Sequence, residues 1–319
     1  MKIVGPTVSY TKNQHYVWRH YLDAWAEAGS FWCYRQRDKK LFPTKPKAVA
    51  SETYFYEIHK FSEEDIAFLE AFINRASDKR LRDLNLDFLR LKQLSFELRE
   101  RLQYANLPQE AEVALERELR IAEKTLGEHY HTGVENKNAD ILECLRRQDA
   151  SFYNDETRCG DFLYFICHQY FRTARMRRVI TDVARPIPGH DPHRTGNVEC
   201  HLYATNVSVG LFRERRAYKI VFLQNATATP FITGDQPIIN LLDPHGTNDL
   251  ELFYPLSPLL AMILSKDNNK FPTQNRHMTE LEIEHYNHAI YERSEDQLYA
   301  SEKAYLQALV SIDKHLFSI

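Results

Sequence analysis

Apolar residues along the chain change their period twice, and each change marks a different kind of structure. Between residues 12 and 29, Tyr16, Trp18, Tyr21, Leu22 and Trp25 recur at helical spacing and Gly29 follows them. That pattern predicts an aromatic helix closed by a glycine. Residues 31–35 read as a short strand, and 39–47 as a basic loop broken by Pro43 and Pro46. From residue 62 the repeat lengthens. Ser62 is a good N-cap with Asp65 three residues on, and Phe61 and Ile66 have the spacing of a hydrophobic staple. Leu81, Leu84, Phe88, Leu91, Leu98 and Leu102 follow a heptad, with Ser95 as its polar slot. Leu115, Leu119, Ala122 and Leu126 resume it beyond Pro108. The spacing predicts a helical-hairpin insertion over 62–130, with Leu84, Leu91 and Leu98 facing the second helix or a second chain.

Phe162, Ile166, Gln169, Thr173, Met176, Ile180 and Val183 predict a further helix over 161–185, ended by Pro186 and Pro188. Beyond Gly196 the period falls towards two. Strands are expected at 201–207, 210–213, 218–223, 231–239, 250–254 and 259–264. Thr279 and Glu282 form a capping box, and Met278 and Ile283 a staple, so a helix should start at Glu280 and run towards Tyr299. A last helical piece follows, to about Lys314. These elements predict an α+β fold in one domain spanning 1–319. An antiparallel sheet from the C-terminal half would pack against the N-terminal helix and the helix at 161, and the hairpin would project from it.

Composition narrows the classes. The chain has 319 residues, 43% of them apolar, enough for a sizeable core. Its 41 basic and 44 acidic residues leave a net charge of -3, so any nucleic-acid surface must be a local patch. Five cysteines without CxxC spacing argue against a disulfide framework or a cysteine zinc site and fit a cytoplasmic protein. No run of residues is long and apolar enough for a membrane span, so no membrane partner is expected.

Polar residues capable of chemistry fall into clusters far apart in sequence. Gln14 and His15 precede Arg19, and His15 offers a general base or a metal ligand. Gln169 and Arg172 share a helix face, and Arg175, Arg177 and Arg178 extend it into a basic patch. Arg172 is suited to holding a phosphate or a carboxylate through two hydrogen bonds. Asp235 and Gln236 lie in the turn Phe231-Ile232-Thr233-Gly234-Asp235-Gln236-Pro237, where a carboxylate can bind a metal or orient a histidine. Tyr254-Pro255-Leu256-Ser257-Pro258 and the helix carrying Asn287 complete the set. Each cluster also has a plain structural reading, as a cap, a turn or a strand end. His129-Tyr130-His131 and His190-Asp191-Pro192-His193 lack further ligands at zinc-site spacing. No phosphate-binding loop, dinucleotide fingerprint, HExxH, GxSxG or calcium loop is present.

In their order, these clusters resemble a bacterial family without an assigned function, domain of unknown function 4238. Its pattern is a QHYVPRFYL-like start, a QYLRTPRMR-like helix, an FITSDNP strand, PLSP and an asparagine in a C-terminal helix. Gln14-His15-Tyr16-Val17, Arg19, Tyr21 and Leu22 match, as do Gln169-Tyr170-Phe171-Arg172-Thr173 and Arg175-Met176-Arg177. Phe231-Ile232-Thr233, Asp235 and Pro237 also match, and Pro255-Leu256-Ser257-Pro258 is complete. Trp18, Ala174, Gly234 and Gln236 stand where the pattern has proline, proline, serine and asparagine. The resemblance spans almost the whole chain and is silent on the reaction.

Residue type supplies the functional expectation. A set of Gln, His, Arg, Asp and Asn suits a cytoplasmic hydrolase acting on a phosphodiester, of the kind a nuclease-like effector of bacterial defence or a toxin system would be. In it His15, Asp235 and Arg172 would carry the chemistry. Gln14, Arg19, Gln169, Gln236 and Asn287 would bind substrate, and His15 and Asp235 could share a divalent metal ion. The spacing defines no metal ligand set. Nucleic acid is one candidate partner. The alternative is a non-catalytic module that docks a partner protein or a second copy through residues 62–130.

Overall fold

The structure is a computed structural model that describes residues 12–183, 187–242 and 249–316. The fold is α+β. Its centre is a five-stranded sheet in the order β10-β5-β9-β8-β7. The strands are β5 (Lys219–Gln224), β7 (Ile239–Asn240), β8 (Leu252–Ser257), β9 (Leu260–Ser265) and β10 (Asn275–His277). β5, β9, β8 and β7 pair antiparallel, and β10 joins β5 in parallel. Both faces of this sheet are covered, and alternation along each strand sorts the side chains. Ile220, Phe222, Tyr254, Met262 and Leu264 join one core cluster. Val221, Leu223, Phe253, Ala261 and Ile263 join another on the opposite face. A strand buried on both sides reads as an unbroken apolar run, as 220–223 does.

Two smaller sheets flank this one. β2 (Phe31–Arg35), β3 (Lys40–Thr44), β6 (Thr233–Gly234) and β11 (Gln297–Ala300) form an antiparallel sheet in the order β3-β2-β11-β6. β1 (Asn13–His15) pairs with β4 (Ser51–Thr53). The expected basic loop at 39–47 therefore contains a strand. Lys39 takes a positive φ to make the turn, and Pro43 sits opposite Trp32 at the sheet edge. Residues 12–29 are not one helix. β1 is followed by a single turn, α1 (Arg19–Leu22), and a 3-10 turn. The aromatic residues are buried, but they anchor rather than propagate a helix. Tyr21 stacks on Tyr254 at 4.9 Å, and the Trp25 indole donates to Phe231 O at 2.9 Å.

Three helices, not two, occupy the insertion. α2 (Glu63–Asn74) carries the predicted capping box at Ser62 and Asp65, and then α3 (Lys79–Leu102) and α4 (Gln109–Lys137) make the hairpin. Arg99 ties the two arms through Glu116 and Glu123, each at 2.8 Å. The buried face of α3 is Leu81, Asn85, Leu89, Lys92 and Gln93, a row with i+4 steps. Leu84, Leu91 and Leu98 lie on another face and stay exposed, at 58%, 45% and 41%. They do not pack between the arms as the heptad suggests, because α3 turns its other row onto α2 and onto α8.

α5 (Ala139–Arg146) leads to α6 (Glu156–Phe171), which stops at Arg172. Thr173 then caps a separate short helix, α7 (Ala174–Arg178), with its hydroxyl on Met176 N. α8 (Pro192–Arg213) occupies the stretch where two strands were expected at 201–207 and 210–213. Asp191 caps it, and Pro192 at its first position favours a helix start. Its buried residues, among them Val198, His201, Leu202, Thr205 and Leu211, recur at helical spacing and include polar groups that a count of apolar residues alone leaves out. The expected strand over 231–239 is broken into β6 and β7 by the Asp235 turn. α9 (Glu280–Arg293) starts at the predicted box, ends before Tyr299 and gives way to β11, and α10 (Lys303–Leu316) follows. All five cysteines are free and buried. No helix among the described residues is long and apolar enough to cross a membrane.

Candidate functional site

Gln14, His15, Gln169 and Arg172 come together where β1 meets the end of α6 and the middle of α4. β1 pairs Gln14 with Glu52 and His15 with Ser51, and successive residues of a strand point to opposite faces. Gln14 therefore turns inward and is fully buried. Its amide donates to Lys124 O at 2.5 Å and accepts from Tyr56 N at 2.7 Å. His15 turns the other way. It is half-buried, and its Nε2 is 3.2 Å from Lys47 O. Burial lowers its pKa, and the charges of Arg19 and Arg172 lower it further. Arg19 is exposed.

Arg172 is the hub. It is buried, and its Nε donates to Tyr16 O at 3.1 Å. Nη2 donates to Glu135 on α4 at 2.5 Å and to His15 O at 3.4 Å. Nη1 has no partner. Burial pushes the Glu135 carboxyl up, against the pull of Arg172 and of Gln169 beside it. Glu128, two helical turns back, is pushed up to about 7 by burial.

The turn residues stand apart from this hub. The Asp235 carboxylate is fully buried and accepts the N–H groups of Glu295, Asp296 and Gln297 at 2.7, 2.8 and 2.9 Å. It clasps the start of β11 and makes no hydrogen bond to His15. Burial raises its pKa to about 7 against these three donors. Gln236 accepts from the Thr173 hydroxyl and donates to Tyr170 O at 3.1 Å and Ile238 O at 2.8 Å. Asn287 accepts from Ile232 N at 2.9 Å and donates to Pro230 O and Tyr305 OH, both at 2.8 Å. These three side chains satisfy backbone groups of a non-repetitive segment, which a buried turn requires.

On the far side of Arg172 lies a cavity of about 20 Å3, enough for one water-sized group. It is lined by Lys92, His131, His168, Arg172, Arg177 and His201, together with Tyr56, Phe88, Asn197, Cys200 and Ala204. α3, α4, α6, α7 and α8 each supply a basic or histidine side chain. His131 Nδ1 lies 2.6 Å from His168 Nε2, so a single proton sits between the rings. His168 Nδ1 and His201 Nε2 have no partner. Burial drives all three histidines below the ordinary value, His201 to about 3, and the nearby cations add to the effect. Burial likewise lowers Lys92 to about 8. No carboxylate pairs with Lys92 among the described residues; its ammonium sits over the Phe88 ring at 5.0 Å.

A divalent metal does not fit here. Among the described residues no group of three His, Cys, Asp or Glu side chains has the geometry to hold one. Three cations also share the histidine cavity, and they repel a fourth. Sequence reasoning set His131 aside for lack of zinc-site spacing and did not single out Lys92, His168 or His201. The one signal was polar residues inside apolar helical stripes, and it becomes legible only once α3, α4, α6 and α8 are packed.

Fold and site together define an α+β protein with a buried, basic, histidine-lined cavity beneath a helical hairpin. The chain belongs to the family of proteins of unknown function DUF4238, whose pattern matches residues 13–304. No curated protein and no solved structure matches it.

Proposed function

We propose that this protein is a cytoplasmic hydrolase that cleaves a phosphodiester at the mouth of the histidine cavity. The observation that carries the reading is the cavity wall: Lys92, Arg172 and Arg177 with three neutral histidines, and no carboxylate among the lining residues. Arg172 is paired with Glu135, but buried Lys92 has no counter-ion among the described residues, which is costly, and an anion seated beside it offsets that cost. Arg172 Nη1 and Lys92 supply donors to phosphoryl oxygens. The His131–His168 pair is neutral near pH 7 and takes the proton of the attacking water. Lys92, still mostly protonated at that pH, gives a proton to the leaving oxygen. The products are a phosphomonoester and an alcohol. His15, whose ring does not line the cavity, contributes its carbonyl to the setting of Arg172.

Release of p-nitrophenol from bis(p-nitrophenyl) phosphate tests this, alongside cleavage of DNA and RNA and growth arrest on expression. His168→Asn and Lys92→Met should abolish turnover while the protein stays folded. Loss of turnover only in step with loss of folded protein would sink the reading. A second reading, a partner-binding module, is favoured by the exposed Leu94, Leu98 and Val113 in the distal half of the hairpin. Light scattering of the purified chain, with and without Leu98→Asp, tests it.

A further inference from the structure

The cavity opens beside a second, larger concavity. A groove of about 610 Å3 runs between α3, α6 and α8 and shares Phe88 and His201 with the cavity wall. Its surface is built by Leu81, Leu84, Leu91, Tyr164, Val209 and Phe212. That volume suits a small-molecule chain, and the apolar lining gives such a chain its driving force. The one ionisable acid on the lining is Asp87, and no lysine or arginine lines the groove. A nucleic-acid strand would bring further phosphates into a groove with no cation to meet them and one carboxylate to oppose them.

Resting on the hydrolase reading, we infer that the substrate is an amphiphile: a phosphate ester whose apolar alkyl, acyl or isoprenoid chain lies in the groove while its phosphoryl group reaches the cavity past Phe88 and His201. Two observations make the pairing. The cavity has room for one water-sized group, so the bulk of any substrate must lie elsewhere. The apolar groove adjoins it across the Phe88 and His201 rings, which stack with centroids 3.6 Å apart, so the part of the substrate next to the phosphoryl group must be apolar and the ring pair must part to admit that group. The exposed Leu84 and Leu91 are then the open side of a chain-binding groove rather than a surface left over from helix packing.

Titration of the full chain with octyl phosphate, inorganic phosphate and octyl glucoside tests the inference. Octyl phosphate should bind at least about tenfold more tightly than inorganic phosphate, since each buried methylene adds to affinity. Leu84→Asp and Leu91→Asp, at exposed positions that tolerate charge, should remove that advantage. Lys92→Met should weaken both phosphates. Equal affinity for octyl and inorganic phosphate overturns the inference while leaving the hydrolase reading intact. Octyl glucoside binding as tightly as octyl phosphate, with no effect of Lys92→Met, overturns the anion site and with it the hydrolase reading. Displacement of octyl phosphate by a single-stranded oligonucleotide, or loss of a dimer in Leu84→Asp, shows that the groove belongs to nucleic acid or to a second copy and overturns the inference.

Discussion

Asp235→Asn separates a catalytic carboxylate from a structural one. In the wild type, Oδ1 accepts Glu295 N and Oδ2 accepts both Asp296 N and Gln297 N. Asparagine keeps one oxygen. Its best placement leaves that oxygen on the two donors at 296 and 297 and turns its NH2 group onto Glu295 N–H. One buried donor is then unpaired and faces another donor, at a cost of about 1–3 kcal/mol. Asp235→Ala leaves all three donors unpaired, and the cost rises to several kcal/mol on the same scale. For a chain of 319 residues each kcal/mol moves the melting temperature by about 1–2 °C. Calorimetry should therefore show a drop of a few degrees for the asparagine variant and a larger one for alanine. Amide hydrogen exchange at residues 295–297 should speed up in both. The structural role of Asp235 is refuted if Asp235→Asn melts with the wild type, keeps protection at 295–297 and still loses all hydrolysis. That result would make Asp235 a chemical group.

Three further perturbations follow from buried groups. Lys92→Met should raise the melting temperature at pH 7 while weakening anion binding, because it removes a buried, unpaired charge. Lys92 titrates near 8 in the fold against an ordinary 10.5, so between these values the unfolded chain binds more protons and wild-type stability rises with pH. The advantage of the variant should shrink from pH 8 to 10.5, and a variant less stable at pH 7 refutes this. His201→Phe should gain on the wild type as pH falls from 6.5 towards 4. The buried imidazole refuses the proton its unfolded form accepts, and an unchanged gap between the two melting curves refutes this. Gly234→Ser, the residue of the family pattern, should destabilise by about 1–3 kcal/mol, since a Cβ there would meet the Ser294 hydroxyl and come to 2.9 Å from Gln297 O. A melting temperature equal to the wild type's would show that the clasp yields freely.

Local signals in the sequence were read correctly where chemistry is local. The caps at Ser62 and Thr279 form as their spacing dictates, and the apolar runs at 220–223 and 259–264 are strands of the central sheet. Period alone misled where buried polar residues interrupt a pattern. His201, Thr205 and Ser208 face inward on α8 at steps of four and three, so a count of apolar residues alone loses the helical period there. The heptad of α3 pointed to Leu84, Leu91 and Leu98 as an inner seam. The helix instead buries the row with Leu81, Asn85 and Leu89, a choice made by its neighbours and not by its own residues. The candidate site was legible in part. Arg172, Gln14 and His15 do meet, because a strand and a helix end converge there. Lys92, His168 and His201 lie on three helices whose contact no spacing records.

Arg172 shows why frame and site cannot be separated in this fold. Its Nε and Nη2 hold the backbone of β1 and the carboxylate of α4, so two arms of the guanidinium fork are committed to the frame. The planar group then fixes the direction of Nη1, the arm left without a partner in the cavity wall. A lysine could supply the charge but not this geometry, since a single ammonium on a flexible stem cannot satisfy Tyr16 O and Glu135 and still present a donor in a set direction. The side chains that the sequence offers for chemistry, Gln14, Asp235, Gln236 and Asn287, spend most of their hydrogen bonds on backbone. They keep β1, the turn at 235 and the ends of α6 and α9 in register. The histidine cavity they frame is built from residues that look, one at a time, like ordinary members of helical stripes.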